Sequence, residues 1–406
     1  MKILLVIWLI LHAIPVFWLV FHALGVFFSS LKKEPHIPEA APEADFACVI
    51  TAYKNMDIAV PLVESLLKQQ YPHFHIYLVG DQCEGEFPIS HENLTVHQPA
   101  APLNSKVRSM RYGVEQTQRA HSHAVIFDPD NLAPTHFLKR LNDYLVSGYP
   151  AVQGLRVAKN LDSTIACIDA AGEYYYNYTT RYVPWRLGSS TNIAGSGQAV
   201  RMDLFKAYLD TEEMDIDKHG VIAAEDKILQ HQLVGQGYRI GCAHDARLYD
   251  EKISEGGQLE RQRTRWLHAY FRHLPQALGV ALKGLAKLDV NRFLSGLYAA
   301  YPPMFLLVSG SIILGGIDLV GWLFFGASPW AWGAVALVLA VVIFGLNFML
   351  ALKLGGAPAS VFKAMLKVPV FVWRQFKALF QMGKAKKDFL VTTNQKVMRL
   401  EDVEKK

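Results

Sequence analysis

The 406-residue sequence predicts an α/β domain built on a parallel sheet with crossover helices, set between one membrane-length helix at the N-terminus and two near the C-terminus. Three observations predict it. Apolar runs long enough to cross a bilayer lie towards both ends, strand-like and helix-like runs alternate between residues 46 and 127, and acidic residues fall where those strands stop. A hydrophobic fraction of 51% is high for a wholly soluble chain, and the excess sits in the flanking runs.

From Ile3 to Phe28 there is no charged side chain. A cleaved signal peptide is the competing reading, but the run is too long for its apolar region, and Ser29-Ser30-Leu31-Lys32-Lys33 is not a small-residue cleavage site. Residues 1–30 are therefore expected to be a retained anchor, followed by a Pro-, Glu- and Ala-rich linker over 31–45. Phe46 to Thr51 reads as a buried strand, Ala59 to Gln69 as a helix and His75 to Val79 as a strand. Val107 to Gln118 reads as a helix and Ala124 to Phe127 as a strand stopping at Asp128. Ligands of such sheets gather at the carboxyl ends of the strands, where Tyr53, Asp81, Asp128 and Asp130 fall.

The domain is expected to span 46–275, with an interfacial helix over 276–296 inside a longer helical stretch, 267–292. The apolar region Phe293 to Leu352 allows two passes within 297–353, split at Gly326-Ala327-Ser328-Pro329 or near Asp318, its single charge. Asp318 is expected in or beside the short outer turn, where it costs little. Residues 354–406 read as an amphipathic helix (359–383) and a tail. Lys363, Lys367, Arg374 and Lys377 oppose Phe362, Met365, Leu366, Trp373, Phe376 and Phe380, which suits a bilayer surface; packing in a protein groove is the alternative.

Lys32, Lys33, Lys353 and the basic tail flank the spans, so the positive-inside rule puts the middle domain and C-terminus in the cytoplasm and the N-terminus outside. These flanks account for most of the net charge of +5, which argues for contact with membrane lipids and no nucleic acid. Cys48, Cys83, Cys167 and Cys242 form no C-x-x-C pair, which suits reduced cytosolic thiols and gives no zinc signature.

Three clusters carry chemistry. Asp128-Pro129-Asp130 at a strand end can hold a hard cation bridging a diphosphate, or be a solvated turn. Glu225-Asp226 opens a helix, as a cap would; a glycosyl transfer that inverts at the sugar carbon needs such a carboxylate as base, and Asp226 is the candidate with Glu225 as neighbour or acceptor contact. Gln262-Arg263-Thr264-Arg265-Trp266 suits a membrane-surface helix. It equally suits a site in which Arg265 neutralises a departing diphosphate, Trp266 walls a sugar ring and Gln262 reaches in from the same helix face.

In this order the clusters resemble the membrane-embedded family-2 glycosyltransferases, which include cellulose, chitin and hyaluronan synthases and, more distantly, ceramide glucosyltransferase. The resemblance covers residues 46 to 275. Val49-Ile50-Thr51-Ala52-Tyr53-Lys54-Asn55 looks like the first nucleotide-contacting strand and loop, giving Thr51 and Tyr53 donor contacts. Val79-Gly80-Asp81 looks like the second, with Gly80 for the first of two usual aspartates and Asp81 matching the one that contacts the base. Asn104-Ser105-Lys106 resembles the Gly-Lys element near the nucleotide, with Ser for Gly. By the same resemblance Asp128 and Asp130 match the metal and diphosphate motif, Asp226 the base, Gln262, Arg265 and Trp266 the Q-x-x-R-W motif, and Gly195-Ser196-Gly197-Gln198 the acceptor-side loop, which Trp266 adjoins. The family implies a GT-A (Rossmann-like) fold, a UDP-sugar donor, Mg²⁺ or Mn²⁺, and inversion.

The expected activity is transfer from a nucleotide-sugar to a polysaccharide or lipid-linked glycan at the cytoplasmic face of a bacterial inner membrane. Single addition to a membrane lipid is the alternative, since three spans are few for a polymer channel unless copies or partner subunits assemble. Two further readings fit less well. A non-catalytic nucleotide-sugar scaffold has only Gly80 in its favour, and a transporter conflicts with the large extramembrane portion. Tyr174, Tyr175, Tyr176 and Tyr178 could stack on glycan or form a packing face, and His244 beside Asp245 reads best as a structural histidine.

Overall fold

The computed structural model describes residues 2–219, 222, 224–326, 328–381 and 398–404. After helix α1 (Lys2–Ser30) the chain forms β1 (Phe46–Tyr53), α2 (Val60–Leu67), β2 (Phe74–Asp81), β3 (Leu94–His97), α3 (Lys106–Glu115) and β4 (His123–Phe127). Then come α4 (Phe137–Val146), β5 (Ala151–Ala158), α5 (Thr164–Tyr176), a π-helical stretch (Asn177–Tyr182), α6 (Val183–Arg186), β6 (Gln198–Arg201) and α7 (Met202–Leu209). The domain closes with α8 (Ile216–His219), α9 (Glu225–Gly235) and β7 (Ile240–Asp250).

The seven strands form one sheet in the order β3-β2-β1-β4-β6-β5-β7. β1 is buried on both faces, hence its continuous apolar run: Cys48 and Ile50 pack towards α2 and α4, Val49 towards α3, α7 and α9. The parallel pairing expected of β1, β2 and β4 is present, but β6 runs antiparallel to both β4 and β5. The reason is topological. After β5 the chain stays at the carboxyl end of the sheet through α5, the π-helical stretch and the 187–197 loop, so β6 enters from that end and Gln198 pairs with Ile126. Residues 195–197 are thereby brought beside the end of β4.

Helix α10 (Gly256–Ala286) carries the Gln262 to Trp266 motif and turns into α11 (Val290–Ala300). Helices α12 (Met304–Phe325) and α13 (Ser328–Leu354) follow, and with α1 they are the described helices long and apolar enough to cross a membrane. Their split falls at Gly326, whose φ of +61° ends α12. Asp318 departs from expectation. It lies inside α12, fully buried, with its carboxylate 2.6 Å from His12 Nε2 of α1, because α1 packs against α12 and α13 and supplies a partner too distant in sequence to foresee. Gly333 makes the approach possible: a Cβ there would lie 2.5 Å from the Asp318 carboxylate and 2.6 Å from the Trp8 ring.

The amphipathic segment forms helices α14 (Ala359–Ala364) and α15 (Val368–Phe380). One side of α15 packs on α10, with Arg374 3.0 Å from Glu260 and the Thr264 hydroxyl donating to Ala378 O at 3.3 Å. The other side leaves Trp373 and Phe380 exposed beside Val370 and Leu366. Residues 382 and 383 of that segment, and most of the tail, lie outside the described residues. The tyrosine run is a packing face: Tyr175 stacks on Phe348 of α13 at 4.8 Å and its hydroxyl meets His22 of α1 at 2.9 Å. His244 pairs with Glu34 at 2.9 Å, away from the acidic clusters.

Candidate active site

Three strand-end loops and three helices converge at the carboxyl end of the sheet. β1 and β2 stop in register, Tyr53 opposite Asp81, and each is followed by a non-glycine residue in the left-handed region, Lys54 (φ +62°) and Gln82 (φ +55°). These bends open a cleft of about 630 Å³ lined by Lys54, Asn55, Met56, Asp57, Gln82, Cys83 and Glu84. Thr51 and Tyr53 are half-buried on the β1 face shared with Val49. The Asp81 carboxylate is engaged by backbone, accepting from Leu103 N at 2.8 Å and Asn104 N at 2.7 Å. It thus shapes the loop that delivers Lys106. Gly80 has little spare room: a Cβ there would lie 3.2 Å from Cys83 Cβ and 3.4 Å from Met56 Sδ.

Lys106, the first residue of α3, joins three of the sequence motifs. Its ammonium lies 2.8 Å from Asp128 Oδ1, 3.1 Å from Glu225 Oε1 and 3.0 Å from Gly195 O. Burial opposes its charge, but the two carboxylates outweigh that and hold its pKa above the ordinary lysine range. Arg265 of α10 is near enough to feel both Glu225 and Asp128, although burial dominates and lowers its pKa. Asp226 follows Glu225 at the start of α9, after Ala224 in the left-handed region (φ +61°). Gly195 lies beside Asp226, a Cβ on it coming within ordinary contact of Asp226 Cβ at 3.9 Å, and its φ of +82° is what favours glycine there.

That loop is braced from below. Gln153 of β5 accepts from Ala194 N and donates to Ser196 O, and Gln230 of α9 accepts from Ile193 N. Ser196 and Gly197 are both buried, so the surface offered beside Asp226 is chiefly that of the partly exposed Gly195. Of the Q-x-x-R-W residues, Arg265 reaches the cluster, Gln262 has a buried amide oxygen without a partner, and Trp266 is 42% exposed with the Arg263 guanidinium 4.3 Å from its ring centre.

Asp128 and Asp130 differ. Asp128 faces Lys106, with its N–H bonded to Asn131 Oδ1 at 3.0 Å in a tight turn. Asp130 is buried, and burial, then the charge of Asp250, pushes its carboxyl above the usual range, against the pull of Lys159. A carboxylate strained in this way fits a divalent cation, which would restore its charged form. Among the described residues no three His, Cys, Asp or Glu side chains form a ready cage.

The sequence reading missed an ionic network beside these groups. Glu173 of α5 pairs with Arg156 of β5 at 3.0 Å, Arg181 at 2.6 Å and Lys252 at 3.4 Å, and Lys252 reaches Asp250 at 2.9 Å. Burial works against the Arg156 charge, and Glu173, Asp250, Asp128 and Asp226 favour it, which sets this arginine between the two acidic motifs. The available signal was a charge inside each apolar run, Arg156 in Ala151–Ala158 and Glu173 before the tyrosines.

A strand-end cluster of carboxylates on a GT-A-like sheet suits a glycosyl-transferring domain. The chain belongs to the glycosyltransferase-like family 2, whose model matches residues 42–269, more than half of its length. No curated protein sequence matches it. Among solved structures it is similar to TarS of S. aureus, at 14% identity and a TM-score of 0.37 over 58% of this chain and 39% of that one. TarS 1-349 in complex with UDP-GlcNAc matches at 14% identity and 0.33 (52% and 59% covered), and TarS 1-349 at 11% and 0.38 (76% and 90%). The chain thus spans well under two thirds of the first of these.

Proposed function

We propose that this family-2 glycosyltransferase transfers a sugar, with inversion, from a UDP-sugar to a polysaccharide or lipid-linked glycan, its catalytic domain on the cytoplasmic side of a membrane. The carrying observation is the convergence of Asp128, Glu225 and Gly195 on Lys106 beside Asp226. Asp226 takes the proton of an acceptor hydroxyl lying beside Gly195. The acceptor oxygen then bonds to the anomeric carbon, and the bond to the diphosphate breaks, the nucleotide keeping the electron pair. Arg265 offsets the charge gathering on that diphosphate, and Lys106 keeps Asp128 and Glu225 in place. Asp128 and Asp130 would hold Mg²⁺ or Mn²⁺, which supplies charge neutralisation to the leaving diphosphate.

The test is release of UDP from a panel of UDP-sugars by membranes carrying the full-length protein, with Mg²⁺, Mn²⁺ or EDTA, with labelled products sized. Asp226→Asn should lower turnover at least roughly 10²-fold, the lower range of general-base catalysis. Label in a polymer supports a synthase and label in lipid extract supports single addition. Undiminished turnover in Asp226→Asn, or none in wild type with any UDP-sugar, would overturn the reading.

A further inference from the structure

We propose that Arg156, Arg181 and Lys227 form a phosphate subsite for the head group of an anionic membrane lipid, which serves as the acceptor. This rests on the transferase reading above and names its acceptor class.

Glu173 is the ion-pair partner that Arg156, Arg181 and Lys252 share, and Lys252 has Asp250 as a second. Two guanidiniums are left to divide one carboxylate, with the Asn177 amide oxygen a further acceptor for Arg181. The Nε atoms of Arg156 and Arg181 are both buried without a hydrogen-bond partner, and Arg181 as a whole is 7% exposed. An orphaned guanidinium N–H in that setting is costly unless an acceptor arrives, and phosphate oxygens match the planar fork.

The third cation sits next to the candidate base. Lys227 Nζ lies 3.8 Å from Asp226 Oδ2 and donates to Ile193 O at 3.2 Å. Burial lowers its pKa, Asp226 beside it raises it, and the charges of Arg181 and Arg156 lower it, so the three cations lie within electrostatic reach of one another. A phosphate there would supply the acceptor that the Arg156 and Arg181 Nε groups lack. Arg181 belongs to the π-helical stretch, an irregularity frequent at functional sites.

Location selects the ligand. Two residues beyond Glu173, Tyr175 packs on Phe344 and Phe348 of α13 and meets His22 of α1. The cations therefore lie close to where the catalytic domain joins the apolar helices, and basic pockets beside membrane-spanning helices bind anionic lipid head groups. A phosphodiester held by Arg156, Arg181 and Lys227 would present a hydroxyl of the same head group to Asp226. Asp226 takes that proton, the oxygen bonds to the anomeric carbon, and the nucleoside diphosphate leaves with the electron pair.

The test is lipid retention by the purified full-length protein in detergent, read by native mass spectrometry with phosphatidylglycerol, phosphatidylcholine and diacylglycerol as probes. Wild type should retain phosphatidylglycerol selectively. Lys227→Gln, Arg156→Gln and Arg181→Lys should each weaken retention, roughly fivefold per cation charge removed and less for the charge-conserving Arg181→Lys. Partly exposed Lys227 gives a variant expected to fold, and UDP binding checks folding in all three. Equal retention of phosphatidylglycerol and phosphatidylcholine, or retention unchanged in Lys227→Gln and Arg156→Gln, overturns the proposal. Displacement of the lipid by millimolar inorganic phosphate would identify a free-anion site and overturn the lipid assignment. Absence of UDP-sugar turnover alongside selective retention would sink the transfer reading while leaving the subsite standing.

Discussion

Replacing Lys106 with Met tests the joint on which the cluster depends. The ammonium makes two charge-assisted contacts, to Asp128 at 2.8 Å and Glu225 at 3.1 Å, and a third to Gly195 O. Such contacts are each worth about 1.5–3 kcal/mol when buried. Here the lysine side chain is 26% exposed, so water screens part of the loss and leaves a net cost of about 2 kcal/mol. For a domain of this size that lowers the melting temperature by about 4–8 °C. The effect on catalysis is larger, because Asp128 and Glu225 are freed to repel and the 195–197 loop loses its tether; a shift of about 1 Å there costs roughly 10²-fold in turnover. The assays are thermal unfolding of the full-length protein in detergent and UDP release under saturating donor. Lys106→Arg should not restore activity, since a planar fork does not match three acceptors in different directions. A Lys106→Met protein melting within about 1 °C of wild type and turning over within about threefold would show that the convergence is incidental.

Restoring the family's usual aspartate, Gly80→Asp, should cost about 1–3 kcal/mol by crowding Cys83 and Met56, and adding Cys83→Ala should recover part of it; denaturation that finds Gly80→Asp as stable as wild type would refute this. Acid should also destabilise the domain. Burial lowers the pKa of His75, His97 and His121, and that of His123 to about 4, so the folded state binds these protons less readily than the unfolded chain. Their contribution is complete above the unfolded value of 6.5 and is lost as pH falls through it, with His123 alone accounting for about 3 kcal/mol by pH 4. The melting temperature should drop over that window and drop less in His123→Asn; a flat profile would count against it. In the membrane helices, His12→Leu should destabilise by about 3 kcal/mol by leaving Asp318 buried and unpaired, whereas the double change His12→Leu, Asp318→Leu should sit near wild type. Heat inactivation in lipid nanodiscs separates the two, and equal loss in both would disprove the pairing argument.

The sequence was most legible where one local pattern decides the outcome. Both faces of β1 are buried, so its apolar run has a single interpretation, and the ends of β1, β2 and β4 follow from the residues that stop them. Membrane-length helices are equally local, and Gly326 marked their turn. Legibility failed where a partner comes from far along the chain. β6 has four residues, too few to show a period, and its antiparallel direction depends on where α5 leaves the chain. Asp318 was misplaced because its cost is met by His12, 306 residues away. Among the candidate site residues, Asp128, Glu225 and Gly195 do meet, but through Lys106, for which the family resemblance implied only a place near the nucleotide. Gln153 and Gln230 read as ordinary polar positions until the loop they brace is in view.

The packing of α15 on α10 bears on how this enzyme can be divided. Arg265 stands on a helix whose other side is propped, through Glu260 and Thr264, by a segment beyond the last apolar span. Trimming the chain after residue 275 to obtain a water-soluble domain would keep every sequence motif yet remove the prop and uncover the face of α10 that it shields. Lineages that shed the membrane helices would have to rebuild that buttress from other residues, so in this architecture catalysis and attachment are inherited together.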